Sequence, residues 1–178
     1  IINSDQLLDR TTIPAHLFIV GGGYIGCEIA AIYRAFGCKV TLAEKSEQLL
    51  PTWDPDVGSH IAGQLSALGV DLWLRHPIAV DKLSLEGAYP VISKPDGVQI
   101  APDLVLVATN RRPNVESLGL EKLSIQADPF IAVDAQLRTS TRNIFAIGDV
   151  NGLSLLDSAA ACQAQVVIDA ITGGAILF

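Results

Sequence analysis

The run His16-Leu17-Phe18-Ile19-Val20 passes directly into Gly21-Gly22-Gly23-Tyr24-Ile25-Gly26, a G-x-G-x-x-G set at the end of an apolar strand. Each glycine has a separate steric job in such a turn. Gly21 permits the tight bend, Gly23 lets the backbone approach a pyrophosphate closely, and Gly26 lets the following helix pack on its strand. Phosphate charge would then rest on the N–H groups at the positive end of that helix. The context agrees with the pattern. A helical run from Ile25 to Phe36 follows, and a second strand, Lys39 to Ala43, ends at Glu44. A carboxylate about 20 residues beyond the glycines is where the ribose hydroxyls of an adenosine are met. These residues predict a dinucleotide site at the start of a parallel α/β sheet. A glycine-rich packing turn is the rival reading.

Length and charge narrow the classes further. A chain of 178 residues suits one domain plus an appendage, and its 49% apolar content supports a proper core. No apolar run approaches the ~20 residues of a membrane span, and no basic start leads into an apolar signal segment. The net charge of −7 comes without any Lys or Arg cluster, so neither a nucleic acid nor a membrane is expected as partner. Cys27, Cys38 and Cys162 lack C-x-x-C or metal spacing and read as reduced thiols of a cytoplasmic protein. His16, His60 and His76 form no ligand set, and no metal is expected. The sequence contains no methionine, which reads as a piece of something longer.

Along the chain, residues 1–14 are polar, end in proline and read as a linker. Gly37 closes the first helix. Asp54-Pro55-Asp56-Val57 opens a second, to Leu68, with Val57, Ile61, Leu65 and Leu68 as one buried stripe. Val70 to Leu74 begins a strand. Three short strands follow, at Ile78–Leu85, Tyr89–Lys94 and Gly97–Ile100, with turn signals at Glu86-Gly87 and Pro95-Asp96-Gly97. A three-stranded meander thus stands where a crossover helix would be usual. Leu104 to Ala108 reads as a central strand covered on both faces. Beyond it come short strands at Ile131–Val133 and Ile144–Ile147, then an apolar helix from about Leu155 to Ile171. The last of these strands ends in Gly148-Asp149, a carboxylate at a strand's carboxyl end, where open α/β sheets bind ligands.

Taken together, Gly21 to Glu28, Glu44, Ala108-Thr109-Asn110-Arg111-Arg112-Pro113-Asn114, and Leu137-Arg138-Thr139-Ser140 leading to Ala146-Ile147-Gly148-Asp149 resemble the pyridine nucleotide–disulfide oxidoreductases. The resemblance covers nearly the whole chain. It implies a Rossmann-like α/β fold with a β-meander, an NAD-binding domain over residues 15–112, and the C-terminal part of an FAD-binding domain over 113–178. It does not extend to that family's first FAD half with its cysteine pair, nor to its interface domain.

By the same resemblance, the cofactor-binding residues are Gly21, Gly22, Gly23, Tyr24, Ile25, Gly26, Glu28, Glu44, Ile78, Asn110, Arg111 and Asp149. Tyr24 would cover the nicotinamide pocket, and Glu28 would pair near the flavin and nicotinamide. Asp149 would meet the FAD ribityl chain. Asn110 stands where the family usually has glycine. Arg111 and Arg112 fit either phosphate contact or a hinge. Glu44 accepts from a free 2′-OH and repels a 2′-phosphate, which favours NAD over NADP. The implied parent is a cytoplasmic, homodimeric flavoprotein moving electrons between NAD(H), FAD and a disulfide, close to dihydrolipoamide dehydrogenase. No catalytic residue is expected within the chain itself. An NADP-dependent reductase of the same family, or a stand-alone nucleotide-sensing module, are the alternatives.

Overall fold

The computed structural model describes residues 1–80, 84–86, 89–94 and 96–178, in two compact units, Ile1–Asn110 and Arg111–Phe178. In the first, α1 (Ser4–Leu8) precedes β1 (His16–Val20), α2 (Tyr24–Ala35), β2 (Lys39–Ala43), α3 (Pro55–Ala67) and β3 (Asp71–Trp73). Then come β4 (Ser84–Glu86), β5 (Tyr89–Ser93), β6 (Gln99–Ile100) and β7 (Leu104–Val107). The main sheet is parallel with order β3-β2-β1-β7, and β4-β5-β6 form an antiparallel meander.

The alternation of β1 explains its unbroken apolar run. Leu17 and Ile19 join a core with Ile29, Ala30 and Tyr33 of α2 and Leu65 of α3. Phe18 and Val20 join a second core with Trp73, Val105 and Ile92 of β5. Helices therefore cover one side and the meander covers the other, so both sets of side chains must be apolar. The meander does the work of a crossover helix. Part of its expected first strand fails to form: residues 78–80 lie outside any ladder, and 81–83, with Gly87 and Pro95 of the turn signals, fall outside the described residues.

Local sequence accounts for the helix ends. Gly37, at φ +82°, follows the last turn of α2, and Gly69, at φ +85°, follows that of α3. Asp54 caps α3 by accepting from the Asp56 N–H, with Pro55 at the first turn. The stripe expected on α3 is narrower than read. Val57 and Leu68 are exposed, and Gly58 takes the inward position, because a Cβ there would strike the Leu49 carbonyl oxygen. Residues 1–14, read as a linker, are instead anchored. Leu7 is fully buried, α1 carries a capping box between Asn3 and Gln6, and Ile2 bridges Leu106 beside β7.

The second unit holds a small core of Ile125, Ile131 and Ala146, and α4 (Asp157–Ile171). The strands expected at 131–133 and 144–147 do not form. Each segment makes one isolated bridge, Ala127 with Ile131 and Arg138 with Phe145. Other bonds leave the ladder pattern, as with the Ile131 N–H to the Val150 carbonyl at 2.9 Å, in a 3-10 turn. No helix among the described residues is long and apolar enough to cross a membrane.

Candidate functional site

The glycine turn closes β1 onto α2 with almost no spare volume. Gly21 has φ +109°, and a Cβ there would lie 2.7 Å from the Ala108 carbonyl oxygen. At Gly26 a Cβ would collide with the Gly21 carbonyl oxygen, so this glycine sets how closely α2 approaches its strand. Gly23 is different. Nothing lies within 4 Å of a Cβ built on it, and it opens α2 with no side-chain cap. No side chain caps the first turn of α2, which begins beside an open cradle that a side chain at Gly23 would fill. A diphosphate fits that arrangement sterically and electrostatically.

Glu44 sits one residue past β2 and is buried at 5% exposure. One carboxylate oxygen accepts the Gly22 N–H at 2.7 Å and the other accepts the Ser46 N–H at 2.8 Å. Both oxygens of this buried carboxylate are thus met by backbone donors. Its remaining lone pairs are available to hydroxyls. The sequence pattern thus brings Gly21 to Gly26 and Glu44 into one place.

Other expected residues divide. Tyr24 and Ile25 form the first turn of α2, Tyr24 exposed and Ile25 packed in part against the core; Glu28 is exposed on the next turn. Ile78 packs against the Phe18–Trp73 core on the meander side. Asn110 is exposed just past β7. In the second unit, Arg111 donates from Nη1 to Asp149 Oδ2 at 2.8 Å. A carboxylate offers more lone pairs than this one bond uses, so Asp149 can also accept from a hydroxyl.

Cys27 lies inside this turn but is chemically quiet. Burial, then the charges of Glu44 and Glu28, push its thiol from 9.0 up to about 11, and its Sγ donates to the Gly22 carbonyl at 3.5 Å. A thiol this reluctant to ionise is a poor nucleophile. Cys38 is raised too, chiefly by burial.

Sequence reasoning missed several residues that shape the sites. Leu50 adopts φ +51° and returns its N–H to the Gly22 carbonyl at 2.8 Å, and Leu49 packs over Gly22. Nothing in Leu49-Leu50-Pro51 signals a left-handed residue. In the second unit, the fully buried Gln163 accepts from the Gly148 N–H at 2.7 Å and from Asn151 Nδ2 at 2.9 Å. A glutamine amid the apolar residues of α4 could have drawn attention, since a buried amide needs partners.

Comparison with known proteins agrees with this geometry. Residues 1–168 match the family described as pyridine nucleotide-disulphide oxidoreductase. The chain is 36% identical over 174 residues to a dihydrolipoyl dehydrogenase of Pseudomonas aeruginosa, covering 97% of this chain and 37% of that protein. It is 34% identical over 182 residues to a glutathione reductase of Burkholderia cepacia, covering 99% and 39%. Among solved structures, the HOCl-induced flavoprotein disulfide reductase RclA of Escherichia coli superposes with a TM-score of 0.87 at 33% identity, over 98% of this chain and 40% of that one. The chain therefore spans well under half the length of the relatives it matches. The matched family, the parallel sheet and the glycine turn lead to one conclusion: this chain belongs to the FAD-dependent pyridine nucleotide–disulfide oxidoreductases.

Proposed function

We propose that this chain is the dinucleotide-holding part of a flavoprotein that moves electrons between NAD(H), FAD and a disulfide, in the manner of a dihydrolipoamide dehydrogenase. The observation that carries the reading is the pairing of the open cradle at Gly23 with the buried Glu44. Residues 15–112 serve as the NAD-binding domain and 113–178 as the second part of the FAD-binding domain. The parent acts in the cytoplasm as a homodimer; the free, buried thiols of Cys27 and Cys38 fit a reducing compartment.

The nicotinamide and flavin supply the hydride chemistry when bound. The chain's own residues bind and orient. The first turn of α2 offers backbone donors to the pyrophosphate, and Gly23 lets it come close. Glu44 accepts from the ribose hydroxyls, and its charge disfavours a 2′-phosphate there. Tyr24 and Glu28, on successive turns of α2, lie toward the nicotinamide end, with Ile78 and Asn110 as further contacts. Asp149 accepts from a ribityl hydroxyl while Arg111 keeps the carboxylate oriented. No acid–base or thiol chemistry is assigned to any of the described residues.

Calorimetric titration of NADH, NADPH and FAD against the chain tests this. NADH should bind more tightly than NADPH, and FAD should not bind stoichiometrically to the chain alone. Equal affinities for the two nicotinamide nucleotides overturn the NAD assignment in favour of an NADP-dependent relative, which the likeness to a glutathione reductase and the neighbouring exposed Lys45 favour. A stand-alone sensing module is distinguished by a reading frame with no cysteine pair upstream.

A further inference from the structure

We infer that Glu44 is a positioning residue for the glycine turn as well as a ribose contact, so that its substitution weakens NADH and NADPH together instead of exchanging one for the other. This rests on residues 21–26 being the dinucleotide site.

The Gly22 peptide is gripped at both ends. Its N–H donates to Glu44 Oε2 at 2.7 Å, and its carbonyl accepts from the Leu50 N–H at 2.8 Å and the Cys27 thiol at 3.5 Å. Leu49 and Glu44 also fill the space beside its Cα: a Cβ there would lie 2.6 Å from Leu49 Cδ2 and 3.0 Å from Glu44 Cβ. The segment from Glu44 to Leu50 therefore folds back as a latch over the middle of the turn. Leu50 reaches Gly22 only by adopting φ +51°, a conformation a leucine does not take without something holding it there.

Glu44 cannot swing away cheaply. Its main chain is fixed on both sides, N–H to the Trp73 carbonyl at 2.9 Å and carbonyl from the His76 N–H at 2.8 Å. Moving its side chain would strip acceptors from the Gly22 and Ser46 amides in a buried place, where an unmet donor is destabilising. The latch and the ribose contact can coexist. A carboxylate offers about four lone-pair positions, two of which the amides use.

Glutamine at this position separates the two roles. It keeps the shape and removes the charge, but it carries only one acceptor oxygen. One of the two amides must then face an NH2 donor, and the latch opens. If Glu44 acted through charge alone, Glu44→Gln would relieve repulsion of a 2′-phosphate, tightening NADPH and sparing NADH. A latch gives another pattern. Both affinities fall, by about tenfold for the loss of one charge-assisted bond that holds the turn.

The test is calorimetric titration of NADH and NADPH against the full chain and its Glu44→Gln variant, with amide hydrogen exchange of Gly22 followed by NMR in both. The expected result is a parallel loss of both affinities, with a Gly22 amide that is protected in the unmodified chain and exchanges faster in the variant. Tighter NADPH binding with unchanged NADH binding overturns the proposal. So does a Gly22 amide that exchanges like an open loop in the unmodified chain, a readout that needs no variant to fold. If neither nucleotide binds the unmodified chain, the site reading fails and the affinity half of the proposal fails with it. A protected Gly22 amide would then still uphold the latch by itself.

Discussion

Arg111 and Asp149, 38 residues apart in sequence, form an ion pair in the second unit with Nη1 2.8 Å from Oδ2. Both side chains are close to half exposed, at 42% and 46%. Water screens such a pair and lowers its value to stability. The pair orients the Asp149 carboxylate more than it holds the unit together. We expect Asp149→Ala to lower unfolding stability by less than about 1 kcal/mol, and by less still in high salt. Urea denaturation at two ionic strengths measures this; a loss of several kcal/mol would show that the carboxylate has a structural task as well.

Gly23 and Gly26 belong to one motif but should fail differently. Gly26→Ala drives a methyl group into the Gly21 carbonyl oxygen, so the chain should lose about 3 kcal/mol or more, seen in thermal melts. Gly23→Ala meets open space, so the fold should melt as before while NADH affinity drops by at least about tenfold. Equal melting losses for the two variants would contradict the geometry.

Thiol reactivity should separate the cysteines. Cys162 is exposed on α4 and should be alkylated first near neutral pH, with Cys27 and Cys38 protected in the native chain. The folded Cys27 thiol sits above its ordinary value, so the native state holds that proton more firmly than the unfolded state. Its contribution to stability is therefore full below about pH 9 and disappears as pH rises through about 11. Stability measured from pH 8 to 11 should fall, and Cys27→Ser should flatten the fall.

Exposed apolar side chains in the second unit should drive self-association. Gln163, Val166 and Ala170 mark the buried face of α4, while Leu156, Ile168 and Ile171 are 55–67% exposed, as are Ile176 and Leu177 beyond it. Apolar patches of this kind find partners. Light scattering with gel filtration should report more than one chain per particle, and Ile168→Lys with Ile171→Lys should shift it toward monomer. A monomer at high concentration for the unmodified chain would argue against that face.

The first unit was readable because its signals are local and redundant. β1 and β2 have the bounds their apolar runs suggest, and Gly37 and Gly69 end helices through the left-handed conformation. The second unit was not. Ile131–Val133 and Ile144–Ile147 have strand composition, yet a strand exists only where a neighbour supplies a ladder, and each finds one bridging partner. In the site, Gly21 and Gly26 are legible because the turn leaves no room for a Cβ, and Glu44 because it directly follows the second strand. The grip of Leu49 and Leu50 on Gly22 is not, because it depends on backbone donors and a φ angle that no side chain announces. The first residues, read as linker from their polarity, are tied down by the inward Leu7 and by the bridge from Ile2 to Leu106.

Trp73 closes one face of the sheet in a tight cage. It is 5% exposed, with the rings of Phe18 and His76 edge-on at 5.2 Å, Lys94 Nζ 4.7 Å from its ring centre, and its own Nε1 donating to Asp71 at 2.8 Å. Trp53, by contrast, is 56% exposed and bonds through its backbone to Leu50, on the loop that grips Gly22. The chain's two tryptophans thus lie in opposite environments. Burial should set Trp73 emission to the blue of Trp53, so the first reports on the seam between sheet and meander and the second on the loop beside the glycine turn. Events at the two places can be followed in one spectrum without attaching a dye.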